Sequence, residues 1–157
     1  MSRDSQMQKV YDWETATPWY KKVSNLTEKD CERVVKTLNN HTVAYRKKNR
    51  RRDVTVQFLN GSGYSYADGR EISLRKIWGM NVPVILHEYA HCLVGVDAGH
   101  GEKFMGCLAA LCSHYMEKDV VEIANSLNQR RIKFESIRLW QERLHLNGRK
   151  RLSVSFP

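Results

Sequence analysis

The chain has 157 residues, enough for one domain with a substantial core and too few for two. Apolar residues make up 41% and charged residues 27%, and the longest apolar run, Val82 to Val96, is broken by His87, Glu88 and His91, so it falls short of the roughly 20 apolar residues that cross a bilayer. The 26 basic residues outweigh 17 acidic ones, for a formal charge of +9. No membrane partner is expected. Met1 to Val10 is polar and charged, unlike a secretory leader, and Cys31, Cys92, Cys107 and Cys112 form no CxxC pair. They read as reduced core thiols, which suits a cytoplasmic protein.

In chain order, an aromatic-rich start (Tyr11, Trp13, Trp19, Tyr20) predicts a short helix and loop packed on the body. Thr27 followed by Asp30 resembles a capping box, opening a helix with Cys31, Val34, Val35 and Leu38 on one face and an expected end at Asn39-Asn40. A basic cluster comes next: Arg46, Lys47, Lys48, Arg50, Arg51 and Arg52. Val54, Val56 and Phe58 alternate with polar residues as a half-buried strand. Asn60 to Gly63 is a turn, Tyr64 to Tyr66 a second short strand, and Ile72 and Leu74, alternating with Ser73 and Arg75, a third. Asn81 as N-cap and Pro83 in the first turn predict a helix over 82–94. Gly95, Gly99 and Gly101 interrupt, a second helix covers 102–116, and a third covers 119–127. Arg130 to Leu146 is helical or begins extended at Lys133-Phe134, and a tail runs on from Asn147. The expectation is a single domain over 1–157, with its core at about 20–128 and a basic extension at about 130–157. That extension carries a second cluster, Arg130, Arg131, Lys133, Arg138, Arg143, Arg149, Lys150 and Arg151. Both clusters, Arg46 to Arg52 and Arg130 to Arg151, suit contact with nucleic-acid phosphates; the alternative is a solvated basic surface.

His87-Glu88-Tyr89-Ala90-His91 is an HExxH motif on the predicted helix. Residues four apart stack on one side, so both imidazoles face one way. Glu88, about 100° round from His87, can reach a water in a metal's open fourth position without being a ligand. The neighbours are apolar nearly all round, so the helix is buried, and a divalent cation offsets the cost of burying its polar groups. A catalytic zinc site needs a third protein ligand. His100, nine residues past His91, returns to the metal only if the chain reverses, which the glycines permit. Asp97 is the rival, as alternative ligand or as an outer group orienting a ligand histidine. Imidazole suits zinc, which favours His100.

HExxH followed by a loop and His100-Gly101-Glu102-Lys103-Phe104 resembles the SprT-like (Spartan-type) zinc metallopeptidases, over about Val54 to Met116. Many members carry Pro where this chain has Glu102, and some carry a C-terminal cysteine ribbon that this sequence lacks. The resemblance implies an α+β, zincin-like fold in which a small sheet of about three strands packs on the HExxH helix. It implies Zn2+ held by His87, His91 and His100, Glu88 as catalytic base, a protein or peptide substrate, and a strand edge near Ile72 to Arg75 along which substrate lies extended. Tyr64, Tyr66, His114 and Tyr115 are the candidates for stabilising an oxyanion. Two other readings stay open: a zinc-dependent endoribonuclease, towards which Val96-Asp97 before Gly99-His100 and the basic clusters lean, and a nucleic-acid-binding module with structural zinc.

Overall fold

A computed structural model describes residues 4–21, 25–148 and 152. In chain order its elements are α1 (Met7–Ala16), α2 (Pro18–Lys21), α3 (Glu28–His41), α4 (Val43–Lys48), β1 (Thr55–Leu59), β2 (Tyr66–Ala67), β3 (Glu71–Arg75), α5 (Val82–Val94), α6 (Glu102–Tyr115), α7 (Val120–Gln129) and α8 (Ile137–Arg143), with a 3-10 turn at Val96–Ala98. The architecture is α+β: helices packed with a three-stranded mixed sheet of order β1-β3-β2.

Local chemistry sets several helix starts. The Thr27 hydroxyl accepts from the Asp30 amide, the Asn81 side-chain Oδ1 from the Val84 amide, and the Asp119 carboxylate from the Val121 and Glu122 amides. The α3 helix does not end at Asn39-Asn40. It runs to His41, and α4 carries the chain on through the first basic cluster. The Asn39 side chain instead brackets the start of the sheet, donating to the Val54 carbonyl (2.8 Å) and accepting from the Val54 amide (3.0 Å). Asn39 is spent on a tertiary contact, which overrides its tendency to stop a helix.

β3 is the central strand. It pairs in parallel with β1, Val56 opposite Ile72, and antiparallel with β2, Tyr66 opposite Ser73. Ile72, Ser73 and Leu74 are therefore all buried, and the half-buried alternation expected there is absent. Of the substrate-binding edge expected near Ile72 to Arg75, β1 occupies one side throughout and β2 occupies the other at Ile72 and Ser73. The second strand is shifted to Tyr66–Ala67.

α5 lies at the centre, packed on α3, α6, β2 and β3. Within the HExxH turn, Tyr89 points to α3 and donates to Asn39 Oδ1 (2.9 Å), with Thr42 Oγ1 at 2.9 Å. That anchor turns His87 and His91 towards the opposite side. α6 packs closely on the C-terminal segment: a Cβ on Gly106 would come within 2.7 Å of both the Glu135 carbonyl and the Trp140 ring. The core is wider than about 20–128. Val10 and Trp13 belong to it at one end, and Ile132, Ile137, Trp140, Leu144 and Leu146 at the other. The segment from Arg130 is thus part of the packed body as far as Leu146, with helix at Ile137–Arg143 and no regular secondary structure over 132–136. Of the expected tail, residues 149–151 and 153–157 lie outside the described residues. All four cysteines are buried and free. Among the described residues no helix is long and apolar enough to cross a membrane.

Candidate metal centre

The reversal that brings His100 back to α5 depends on backbone geometry at two positions. Gly95 ends α5 at φ 93° and ψ 138°, and Gly99 comes after the 3-10 turn at φ 54° and ψ −138°. Side-chain-bearing residues rarely adopt either conformation. At Gly99 an added Cβ would also lie 2.7 Å from an Asp4 carboxylate oxygen. Past Gly101, α6 begins, and Phe104 in its first turn slides beneath the imidazoles. It stacks on His91 at 4.2 Å and 24° and meets His87 and His100 at 5.0 and 4.9 Å. The spacing of His100 and Phe104 therefore serves two ends of one arrangement: a ring that returns to the cluster and a ring that floors it.

Ligand-capable nitrogens of His87, His91 and His100 all lie within 4.8 Å of one another. Two of the three rings are held from behind by carboxylates on the N-terminal segment. Glu14, on α1, bonds His87 Nδ1 at 2.5 Å, and its oxygen also accepts from the Tyr20 hydroxyl at 2.8 Å. Asp4, just ahead of α1, accepts from both the His100 amide (2.8 Å) and His100 Nδ1 (2.6 Å). Gln6 adds a bond from Nε2 to the His100 carbonyl at 3.0 Å. Tyr11 covers the pair, with its ring 5.9 Å from His87 and 5.2 Å from His100. Sequence patterns mark none of Asp4, Gln6, Tyr11 or Glu14 as a site residue. The aromatic N-terminal stretch signals only that the segment packs, and nothing in it names its target.

The donor chemistry fits a cation. Asp4 and Glu14 engage the Nδ1 atoms, so in their neutral forms His100 and His87 turn Nε2 lone pairs towards each other at 3.2 Å. Two acceptors so placed repel unless a proton or a metal ion joins them. His91 completes the set, its Nδ1 buried with no hydrogen-bond partner among the described residues. Three imidazoles with outer carboxylates form a set that suits zinc and other nitrogen-seeking transition metals.

The electrostatics differ from ring to ring. Burial disfavours the charged form of His87, yet the Glu14 carboxylate outweighs it and lifts His87 above the usual histidine range. Burial pushes His91 down to about 3, helped by the two neighbouring imidazoles. Burial also depresses His100, against the pull of Asp4. Asp4 is itself raised by burial but held below the usual carboxylate range by its bonds from His100. Glu88 is pushed up to about 7 by burial, with His87 opposing.

Glu88 and His87 form part of the wall of a cleft of about 360 Å3, where Tyr11, Tyr64, Trp78 and Val84 supply the apolar surface. Of the expected oxyanion groups, Tyr64 lines this cleft. Tyr66 is on β2 outside it, while Tyr115 is buried with its hydroxyl 2.7 Å from His41 Nδ1, and His114 packs edge-on against Tyr115. These three are not brought to the site; Tyr11 is. Asp97 is not brought there either. It is exposed on the 3-10 turn and takes no part in the three-residue cluster, and the carboxylates behind the histidines are Asp4 and Glu14.

The basic clusters also divide. Arg46 is buried and structural, bonding Asp53 (2.7 Å) and the Asn39 carbonyl (2.7 Å). Lys47, Lys48, Arg50 and Arg52 are exposed, as are Arg130, Arg131, Lys133, Arg138 and Arg143; Arg149, Lys150 and Arg151 lie outside the described residues. No protein-family model, curated protein or solved structure matches the chain.

Proposed function

We propose that the chain is a zinc-dependent metallopeptidase, with His87, His91 and His100 as ligands and Glu88 as general base. The observation that carries this reading is the placement of Glu88. Glu88, next to the three convergent imidazoles, stands outside the ligand group and lines a cleft of about 360 Å3. The resemblance of HExxH plus His100-Gly101-Glu102-Lys103-Phe104 to the SprT-like family points the same way.

When bound, a zinc ion supplies Lewis acidity, lowering the pKa of a coordinated water towards about 7 and polarising a peptide carbonyl. The remaining work falls to side chains. Glu88 accepts a proton from the attacking water and returns it to the departing amine nitrogen. Its pKa of about 7 in the metal-free chain lies close to neutrality, and a cation alongside lowers it towards the ionised form a base requires. Asp4 and Glu14 fix the tautomer and direction of His100 and His87. Tyr64 and Tyr11 are, with Ser65, hydroxyls on the cleft wall that can donate to a developing oxyanion, whereas Tyr20 is committed to Glu14. The cleft's aromatic wall suits a substrate with a bulky apolar side chain beside the cleaved bond.

The test is Glu88→Gln. The variant should load zinc as the parent does while hydrolysis of an unfolded protein falls by about 10²–10⁴-fold. Parallel incubation with structured RNA separates peptidase from ribonuclease. Zinc-dependent cleavage of RNA alone, or full proteolysis by the Gln variant, would overturn the reading.

A further inference from the structure

The two basic stretches, far apart in the chain, meet at one cavity. Lys48 at the end of α4, Arg51 just beyond it, Lys103 in the first turn of α6 and Arg143 at the end of α8 all line a space of about 510 Å3. Its wall includes Tyr45 and Trp140, with ring centroids 5.7 Å apart. Four permanent cations here face one carboxylate, Glu135. That carboxylate is already committed, accepting from Arg143 Nη1 at 2.9 Å and from Trp140 Nε1 at 3.0 Å. Among the described residues Lys48, Arg51 and Lys103 form no ion pair.

Arg51 is the most telling of the three. It is half-buried, one Nη2 hydrogen is given to the Val94 carbonyl at 3.3 Å, and its Nε is buried with no hydrogen-bond partner among the described residues. A desolvated guanidinium N–H without an acceptor is costly, and gathering like charges round one cavity adds repulsion. An oxyanion in the cavity offsets the repulsion and offers acceptors to the remaining Nη hydrogens of the guanidinium. A guanidinium fork flanked by two ammonium groups is the arrangement that suits the several oxygens of a phosphate.

We propose that this cavity is a binding site for a phosphate group, carried by a nucleic-acid backbone or by a small phosphorylated molecule. Arg51 supplies the directional bonds, and Lys48 from α4 and Lys103 from α6 supply charge. Arg143, steadied by Glu135 and by the Trp140 face 5.0 Å away, closes the rim. The site is separate from the cleft beside Glu88, since no residue lines both. It needs neither the metal nor hydrolysis, so its failure and that of the peptidase reading are distinguishable.

The experiment is a calorimetric titration at low salt with three probes: inorganic phosphate, a 5′-mononucleotide and a short single-stranded oligonucleotide. A Lys48→Ala, Lys103→Ala double variant is compared with Lys47→Ala, Arg138→Ala, which removes the same charge from exposed positions outside the cavity. Arg51 is left intact because it also holds the end of α5. The cavity pair should weaken binding by about tenfold or more, and the outside pair by less than about threefold. Equal affinity for mononucleotide and oligonucleotide assigns the phosphate to a small molecule. An oligonucleotide bound at least about tenfold tighter, with the same dependence on Lys48 and Lys103, assigns it to a nucleic-acid backbone. The absence of saturable binding by any probe, or equal losses from the two pairs, overturns the proposal.

Discussion

The metal cluster has two halves of different origin. One half, from α5 through the glycine turn into α6, supplies all three imidazoles, the adjacent base and the Phe104 floor within a short stretch of chain. The other half, Asp4 to Tyr20, supplies no ligand and yet holds two ligands in place through Asp4 and Glu14. The first half obeys local geometry: helical spacing pairs His87 with His91, and a turn returns His100. The second half is joined to the first by contacts spanning most of a hundred residues, which local spacing rules do not describe. Proximity in sequence and importance to the site are therefore separate properties here. His91 makes the contrast sharper, because it lacks a carboxylate partner and leans on an aromatic ring instead.

Replacing a ligand should produce the largest effect. If three imidazoles share a zinc binding free energy of roughly 10–16 kcal/mol, His100→Ala should weaken zinc affinity by about a thousandfold, measured by chelator competition. Retained affinity would remove His100 from the set and reopen the choice of third ligand. Next come the supports: Glu14→Gln and Asp4→Asn should each cost about 10–100-fold in zinc affinity, by the same competition, with the melting profile of the metal-free chain as a check on folding. Wild-type affinity in both variants would reduce the N-terminal half to packing alone.

Acidity gives a finer test. Because Glu14 raises the pKa of His87, a proton competes with the metal there, and zinc affinity should fall by about tenfold per unit once pH drops below that raised value. The sign comes from binding the neutral ring: metal loading is favoured above the folded pKa and lost below it. In Glu14→Gln the lift disappears and burial dominates, so the decline should begin at lower pH even though affinity at pH 8 is weaker. An unchanged midpoint would show that Glu14 does not set the protonation of His87. The smallest expected change is Asp97→Asn, which should leave zinc affinity within about twofold, as an exposed residue outside the cluster does. A large loss there would contradict the assignment of the supporting role to Asp4 and Glu14.

Short-range rules made part of this protein readable before any folding is considered. The Thr27 and Asn81 caps, the 82–94 helix and the 3.6-residue period that pairs His87 with His91 are legible because each depends on neighbours within a turn or two. The glycines announce a reversal, and His100 is readable as its product. Long-range packing governs the remainder. Asn39 reads as a helix stop and is a bracket for Val54; Arg46 reads as a surface charge and is buried against Asp53; Ile72 to Arg75 reads as a half-exposed strand and is the centre of the sheet. Asp97 reads as the supporting carboxylate from its place in the turn before His100, while the carboxylates that meet the rings come from the far end of the chain. A side chain's period along an element is a one-dimensional property, but its partner is chosen by how elements pack. Packing brings Asp4 and Glu14 against His100 and His87 because Val10 and Trp13, on the buried face of the helix that carries Glu14 and follows Asp4, are drawn into the core.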